Sequence, residues 1–475
     1  MRAVDRKVTL GVIVGTRGFF NAELASTGRV KILDRMKQLG IEVVILPPKA
    51  TPTSAVETRE DAKRCAALFS EKREVIDGVF ITLPNFGDEL GVIQTLEMAK
   101  LNVPVMVHAW DDEPDKLDIK RRRDSFCGKL SLTCNLYQYG IPFTDTTFHT
   151  TSVESEVFAK DLRRFAMICK VVRGLRGARI GALGTRPMAF QTMRFSEKLL
   201  QASGITVVPV DLSEIFGAAN ALKDNAPDVK EAIRELRGYG RIPASIPVAA
   251  LVREAKLYAA VARWMEQNEI AAAGMQCWTS VQQNFGCGSC VTMSMLGEKL
   301  NPVACETDLG GVISMYALVL ASGNPAALLD WNNNYGEDRD MCINTHCSSY
   351  PRSFIGREVE VSTQDVLGAS LGKEICFGAV KGNVAPGPMT FARISTDDVR
   401  GEIKAYVGEG EFTDHPHNMS GGIAVCRIPG LQKLLKYMGR NGFEHHVGMV
   451  RGHVGEIVAE AFERYMGWNT HHHQA

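Results

Sequence analysis

What this chain lacks narrows its function before any motif is read. It has no net charge, since 54 lysines and arginines meet 54 aspartates and glutamates, so no long-range field draws in nucleic acid or an anionic membrane surface. It has nothing near the roughly 20 apolar residues that cross a bilayer; even 310–321 is short and lies between polar segments. No apolar leader is expected either, because Met1-Arg2-Ala3-Val4-Asp5-Arg6-Lys7 precedes the first β-branched run, and a reduced, cytoplasmic setting is expected for the twelve cysteines. Fixed short repeats and low-complexity tracts are absent. Gly15 and Gly18 fall short of the full dinucleotide fingerprint, which disfavours a nicotinamide cofactor. What remains is a small, uncharged or weakly charged partner.

At 475 residues the chain exceeds what one hydrophobic core usually fills. Short β-branched runs at 8–14, 41–46, 78–83 and 103–109 alternate with stretches at 29–39, 59–70 and 89–100 whose apolar residues recur at helical spacing. That alternation predicts a parallel sheet covered by helices, a doubly wound α/β domain over 1–172. The Gly- and Arg-bearing stretch 171–177 reads as a connector. After it, strands at 178–183, 205–210, 270–276 and 303–306, with helices at 248–266 and 309–321, predict a second α/β domain over 173–322. Beyond 325 the pattern turns to short strands punctuated by Gly and Pro, at 375–380, 389–394 and 403–407, closed by a helix at 453–465. A β-rich, barrel-like third domain over 323–475 is the expectation.

Three separated stretches each offer a metal-type ligand: Cys-Glu-Thr-Asp at 305–308, Asp330-Trp331, and His445-His446. Glu306 and Asp330 bring oxygen and His446 an imidazole nitrogen, a mixed set that suits an octahedral Mn²⁺ or Mg²⁺ better than tetrahedral zinc. Two carboxylates beside an ion also make an acid/base pair. Taken singly, each residue has a plainer reading: an acidic residue at a strand end is often a helix cap, Asp330 could close a turn, and paired histidines could end a strand. Their company weighs against that. Val303-Ala304-Cys305 precedes Glu306 and Leu328-Leu329 precedes Asp330, so both carboxylates follow apolar runs that should be buried, and a buried carboxylate needs a partner. Glu306 would also stand at the carboxyl end of a strand, where open α/β sheets bind ligands. Other motifs carry less. Cys287-Gly288-Ser289-Cys290 lacks the second pair of a structural zinc site, His415-Pro416-His417 reads as an exposed loop, and His471, His472 and His473 are set aside as an exposed, weakly metal-binding run.

Pro302-Val303-Ala304-Cys305-Glu306-Thr307-Asp308, then Asp330-Trp331, then Asn344-Thr345-His346-Cys347, and finally His446-Val447-Gly448-Met449-Val450-Arg451-Gly452-His453-Val454-Gly455 resemble, in this order, the active-site blocks of the L-fucose and L-arabinose isomerase family. The resemblance covers the second and third domains by motif and the first by architecture. It implies a three-domain subunit in a homo-oligomer, a hexamer or similar, acting on a small-molecule sugar. It also implies a Mn²⁺ held by Glu306, Asp330 and His446, with Mg²⁺ or Co²⁺ as alternatives and His346 as a further shell residue. By the same resemblance Gln276 is a polar substrate contact and Arg186 lies on a loop near the pocket, while Arg17 and Phe86, on loops of the first domain, reach the pocket of a neighbouring subunit. His445 stands where the fucose isomerase pattern carries Asn, so this substrate-facing position leaves the sugar open.

The family interconverts aldoses and ketoses. A C–H beside a sugar carbonyl is a weak acid, so a divalent ion must hold the carbonyl and neighbouring hydroxyl oxygens while a carboxylate moves the proton between C1 and C2 through an enediol. A metal-assisted hydride shift competes with that route. An epimerase on the same centre is a second enzyme reading, and a sugar-binding or regulatory protein is the non-catalytic one, because tandem α/β domains also build solute-binding folds.

Overall fold

The computed structural model describes residues 2–474, which gather into two compact units: the residues up to Arg173 with Arg464–Gly467, and Gly174–Glu463 with the residues from Trp468 on. In the first unit, β1 (Thr9–Val14), β2 (Glu42–Val44), β3 (Gly78–Leu83), β4 (Val105–Ala109) and β5 (Thr144–Asp145) form one parallel sheet in the order β2-β1-β3-β4-β5. β1, β3 and β4 are buried along their whole length, as strands covered on both faces must be, and so they read as nearly continuous apolar runs. The helices between them start where a side chain can satisfy their free N–H groups. Asn21 accepts from Glu23, Thr58 and Asp61 form a reciprocal capping box, and Asp88 accepts from Gly91. The Asn21 cap is why the first helix covers Ala22–Gln38 and does not wait until 29. Helices Ser125–Gln138 and Glu156–Leu175 lie outside the sequence reading. The second of them corrects it: the stretch from 171, expected as connector, is helical to Leu175, because Val171, Val172 and Leu175 are buried.

In the second unit, β6 (Arg179–Leu183), β7 (Thr206–Val210), β8 (Ala272–Met275) and β9 (Val303–Cys305) make another parallel sheet in the order β7-β6-β8-β9. Helices Val248–Gln267 and Leu309–Ser322 fall where the periodicity places them, and Leu212–Ala221, Pro227–Tyr239 and Cys290–Glu298 add to them. A nine-stranded sheet follows, built from β10 (Ala326–Tyr335), β11 (Asp338–Thr345), β12 (Glu360–Thr363), β13 (Phe377–Asn383), β14 (Gly387–Asp397), β15 (Glu402–Thr413), β16 (Gly422–Arg427), β17 (His446–Arg451) and β18 (Asn469–His472). The fold class read from the sequence is therefore the observed one: two parallel α/β sheets and then a β-rich part.

The order of the large sheet is β12-β13-β16-β11-β10-β17-β14-β15-β18, and β15 pairs also with β16, Phe412 opposite Cys426. Six strands, β16-β11-β10-β17-β14-β15, thus close into a barrel. Leu329, Phe391, Tyr406, Cys426, Val447 and Met449 pack together as its core. β14 and β15 are long, 11 and 12 residues, where short strands were expected, because Pro388 and Gly408 lie inside the ladder and do not end it. A further correction concerns the histidine run. His471 and His472 form β18 beside Tyr406 and Val407 of β15, and His473 is buried with Nε2 2.8 Å from the Pro429 carbonyl. The expected final helix comes as Gly455–Glu460 followed by a π-helical turn, Ala461–Tyr465. No helix among the described residues is long and apolar enough to cross a membrane.

Asp330 and His446 are register partners on β10 and β17, one step from the partners Leu329 and Val447 that belong to the barrel core. Side chains alternate along a strand, so Asp330 and His446 point to the outer face. Helix Leu309–Ser322 covers that face so closely that a Cβ on Gly448 would lie 3.2 Å from the Met315 nitrogen. The turn between β9 and this helix consequently faces Asp330 and His446.

Candidate metal centre

β9 ends at Cys305, and the chain turns through two residues in the left-handed region, Glu306 at φ 61° and Thr307 at φ 53°. Asp308 then caps helix Leu309–Ser322 by accepting the Gly311 N–H at 2.9 Å. Such a conformation costs on the order of 1–3 kcal/mol per non-glycine residue. The turn also presses on β8, where a Cβ on Gly274 would lie 3.0 Å from the Thr307 Cα. Its outcome is a Glu306 side chain turned inward, the residue only 4 % exposed, with Oε1 accepting from the Trp278 indole N–H at 2.9 Å and Oε2 left over.

His446, 1 % exposed, stands opposite, its Nε2 3.4 Å from Glu306 Oε2 and 3.3 Å from Asp330 Oδ1. His346 follows β11 and His445 precedes β17. One ligand atom each from Glu306, His346 and His446 fall within 4.8 Å of one another, and so do those of Asp330, His445 and His446. Glu306 Oε2, Asp330 Oδ1 and His346 Nε2 are buried without a hydrogen-bond partner among the described residues, although buried polar atoms are nearly always satisfied. The two imidazoles differ. The Cys347 N–H donates to His346 Nδ1 at 2.7 Å, so His346 keeps its proton on Nε2 and offers a donor; His446 Nδ1 faces the Asp308 carboxylate at 2.9 Å, so its Nε2 offers a lone pair. Two unsatisfied carboxylate oxygens and one imidazole lone pair fit a hard divalent cation, and a neighbouring N–H donor fits an oxygen-bearing ligand beside it.

Burial raises Glu306 above the ordinary carboxylate range, opposed by His346, and pushes Asp330 up to about 6, opposed by His445. Burial and the neighbouring His346 bring His446 down to about 3, and burial lowers His346 as well. Asp308 behaves in the opposite way: burial would raise it, but the Arg393 guanidinium and the hydrogen bond to His446 hold it well below the usual range.

The remaining sequence-derived residues separate into two groups. Gln276, just past β8, accepts the Thr185 N–H at 3.1 Å and so anchors the loop after β6; Phe190 of that loop packs edge-on against Trp278 at 5.3 Å and His445 at 6.1 Å. Arg186, in the same loop, donates to the carbonyls of Pro187 and Met188 at 3.3 and 3.1 Å and has no carboxylate partner among the described residues. Arg17 and Phe86 belong to the first unit, on loops after β1 and β3, and make their own cluster: Arg17 lies over the Phe86 ring at 4.3 Å, pairs with Glu89, and stands 3.7 Å from Asp88. Cys277 and Cys305, past β8 and at the end of β9, form a disulfide with Cα atoms 5.7 Å apart, where the sequence reading has every cysteine reduced; no second disulfide forms among the described residues.

Sequence reasoning passed over Trp278, Asp308, Arg393 and Glu444. Arg393 carried a usable signal, being the one charged residue in the apolar strand segment 389–394, since a buried arginine requires carboxylates. Asp308 was hidden by its double duty as a helix cap.

Two family models match the chain in order: "Fucose/sulfoquinovose isomerase, N-terminal domain" over residues 11–176 and "L-fucose isomerase, C-terminal domain" over residues 344–473, together more than half of the chain. The sulfoquinovose isomerase of Priestia aryabhattai is 24% identical over 449 residues, 94% of this chain and 94% of the relative, and that of Priestia megaterium stands at the same figures. The sulfoquinovose isomerase of Alkalicoccus urumqiensis is 22% identical over 369 residues, 76% of this chain and 79% of the relative. By these matches over nearly its whole length, and by its two parallel sheets followed by a β-rich part, the chain belongs to the fucose isomerase-like family of aldose-ketose isomerases.

Proposed function

We propose that this protein is a metal-dependent isomerase of an open-chain sugar, with Glu306, Asp330 and His446 holding Mn²⁺, or Mg²⁺ or Co²⁺ in its place. The observation that carries the reading is the pair of buried, partnerless oxygens, Glu306 Oε2 and Asp330 Oδ1, on either side of the His446 Nε2 lone pair. A divalent ion held there supplies charge that makes the C–H beside a sugar carbonyl acidic enough to lose its proton. Glu306 and Asp330 serve as the acid/base pair that carries this proton between C1 and C2 through an enediol. Trp278 fixes one Glu306 oxygen so that the other faces the substrate, the His346 Nε2–H donates to a sugar oxygen, and Phe190 with Trp278 shields the centre from water. Gln276 acts by holding the loop after β6, and His445 lines its substrate side.

Sulfoquinovose is the first substrate to try, since the matched relatives carry that name. For its anionic tail Arg186 is the better of the two arginines considered, because Arg17 is already engaged by Asp88 and Glu89. A homo-oligomer, hexameric by family resemblance, belongs to the same proposal, as do the three-domain division at 172 and 322, a neighbour's pocket completed by Arg17 and Phe86, and a cytoplasmic setting.

The test is a panel of aldoses, sulfoquinovose and L-fucose among them, run with metal analysis, chelator and Mn²⁺ add-back, and product identification. Turnover should vanish with chelator and return with Mn²⁺, and in deuterated water the product should carry deuterium. Chelator-indifferent turnover sinks the metal assignment, and product without deuterium counts against the enediol and toward a hydride shift. In the same panel Arg186→Gln should raise KM roughly 10- to 100-fold for the sulfonated sugar only, the loss of one charge-assisted contact.

A further inference from the structure

We infer that Asp308 is the positioning residue of the centre, fixing the tautomer and tilt of His446, and that Arg393 and Glu444 hold Asp308 in place. This rests on the ligand reading above and adds residues that reading does not use. Asp308 Oδ2 lies 2.9 Å from His446 Nδ1. An ionised carboxylate only accepts, so Nδ1 carries the imidazole proton and the Nε2 lone pair is directed toward Glu306 and Asp330. Asp308 has no freedom to swing. Arg393 grips both of its oxygens, Nη1 on Oδ2 and Nη2 on Oδ1 at 3.0 Å, while the Gly311 N–H donates to Oδ1 at 2.9 Å. Arg393 is anchored in turn, its Nε donating to Glu444 Oε2 at 3.1 Å, and Ser395 Oγ donates to Glu444 Oε1 at 2.8 Å.

Asp308 and Arg393 are each 1 % exposed and Glu444 is 9 % exposed, so the clamp on Asp308 is buried. The chain of contacts runs from the turn after β9, through β14, to the segment leading into β17. It therefore joins the pieces of backbone that carry Glu306 and His446. A capping role alone needs one Asp and no arginine; burying Arg393 to clamp it makes sense when the carboxylate's position matters. Outer partners of this kind orient a ligating histidine and tune its basicity.

Asp308→Asn separates positioning from capping, since Asn caps a helix as well as Asp but no longer dictates which imidazole nitrogen keeps the proton. Calorimetric Mn²⁺ binding to the full chain should weaken roughly 10- to 100-fold in this variant. Nitrogen-15 spectra of the metal-free, unaltered protein give a second reading that needs no variant fold: the His446 signals, identified by their loss in His446→Ala, should show a protonated Nδ1 and a bare Nε2. Unchanged affinity in Asp308→Asn, or the opposite tautomer, overturns the inference. The ligand reading fails separately, if His446→Ala binds Mn²⁺ as the unaltered protein does.

Discussion

The two parallel sheets end in loops that both carry carboxylates but balance their charges differently. After β1 and β3, Arg17 pairs with Asp88 and Glu89 and lies over Phe86, and Asp88 Oδ1 is further occupied by the Gly91 N–H at 3.0 Å. After β8 and β9, Glu306 receives a single donor from Trp278 and faces a second carboxylate, leaving Glu306 Oε2 and Asp330 Oδ1 unsatisfied. Strand ends of a parallel sheet offer a place for ligands in both cases. Of these two places, only the second has polar atoms that no group among the described residues completes, and that shortfall distinguishes a site from a self-contained surface cluster.

The contrast is broken most directly by filling the shortfall. Glu306→Gln and Asp330→Asn should each lower kcat by about 10²–10⁴-fold, the usual contribution of an acid/base group, while circular dichroism and the melting temperature show the fold retained. Near-normal turnover in either variant would remove that residue from the acid/base pair.

Another buried carboxylate sharpens the comparison from inside the same unit. Glu254, 1 % exposed, accepts from Thr292 Oγ1 at 2.8 Å and belongs to no group of three metal-type ligands among the described residues. Burial, opposed by the Thr292 hydrogen bond, pushes it up to about 8. A carboxyl whose folded value lies above its unfolded one binds its proton more tightly in the fold. Its contribution to stability is therefore greatest below the unfolded value of 4.5 and declines as pH rises toward about 8, at most about 1.4 kcal/mol per pH unit. Glu254→Gln should flatten that decline in chemical denaturation across this range without altering Mn²⁺ affinity; an unchanged slope means the carboxyl is ionised in the fold. The smallest effect is expected at the balanced loops. Arg17→Ala should cost less than about 1 kcal/mol of stability in denaturant titration, as partly exposed ion pairs do, and a larger loss would show that the Phe86 contact carries more than surface chemistry.

The contrast also explains what could be read from the chain alone. Apolar runs ending in a carboxylate at Glu306 and Asp330 were legible, because burial followed by charge is a local pattern. The β1, β3 and β4 runs were legible for the same reason. Closure of the barrel was anticipated only as a class, since the Phe412–Cys426 pairing is non-local and carries no signal in either strand. The left-handed turn at Glu306 and Thr307 was illegible, because neither residue is glycine and the conformation is imposed by β8, the helix and the barrel face together. The two histidine tautomers depend on single hydrogen bonds, to the Asp308 carboxylate and from the Cys347 N–H, that no spacing rule predicts. Arg186 and Gln276 were placed by resemblance, and their loop anchoring is visible only in three dimensions.

Asp330 and His446 face each other on one rung, on neighbouring strands of a ring that has no free edge at which a strand could shift. A slip of either strand by one residue would turn its ligand side chain into the hydrophobic interior, so the gap between this oxygen donor and this nitrogen donor is a property of the barrel's closure. The loop around Arg186 and Phe190, hung from a different sheet through one amide, can be rewritten without disturbing that gap. Re-engineering toward a new sugar would start with that loop and leave the caliper untouched.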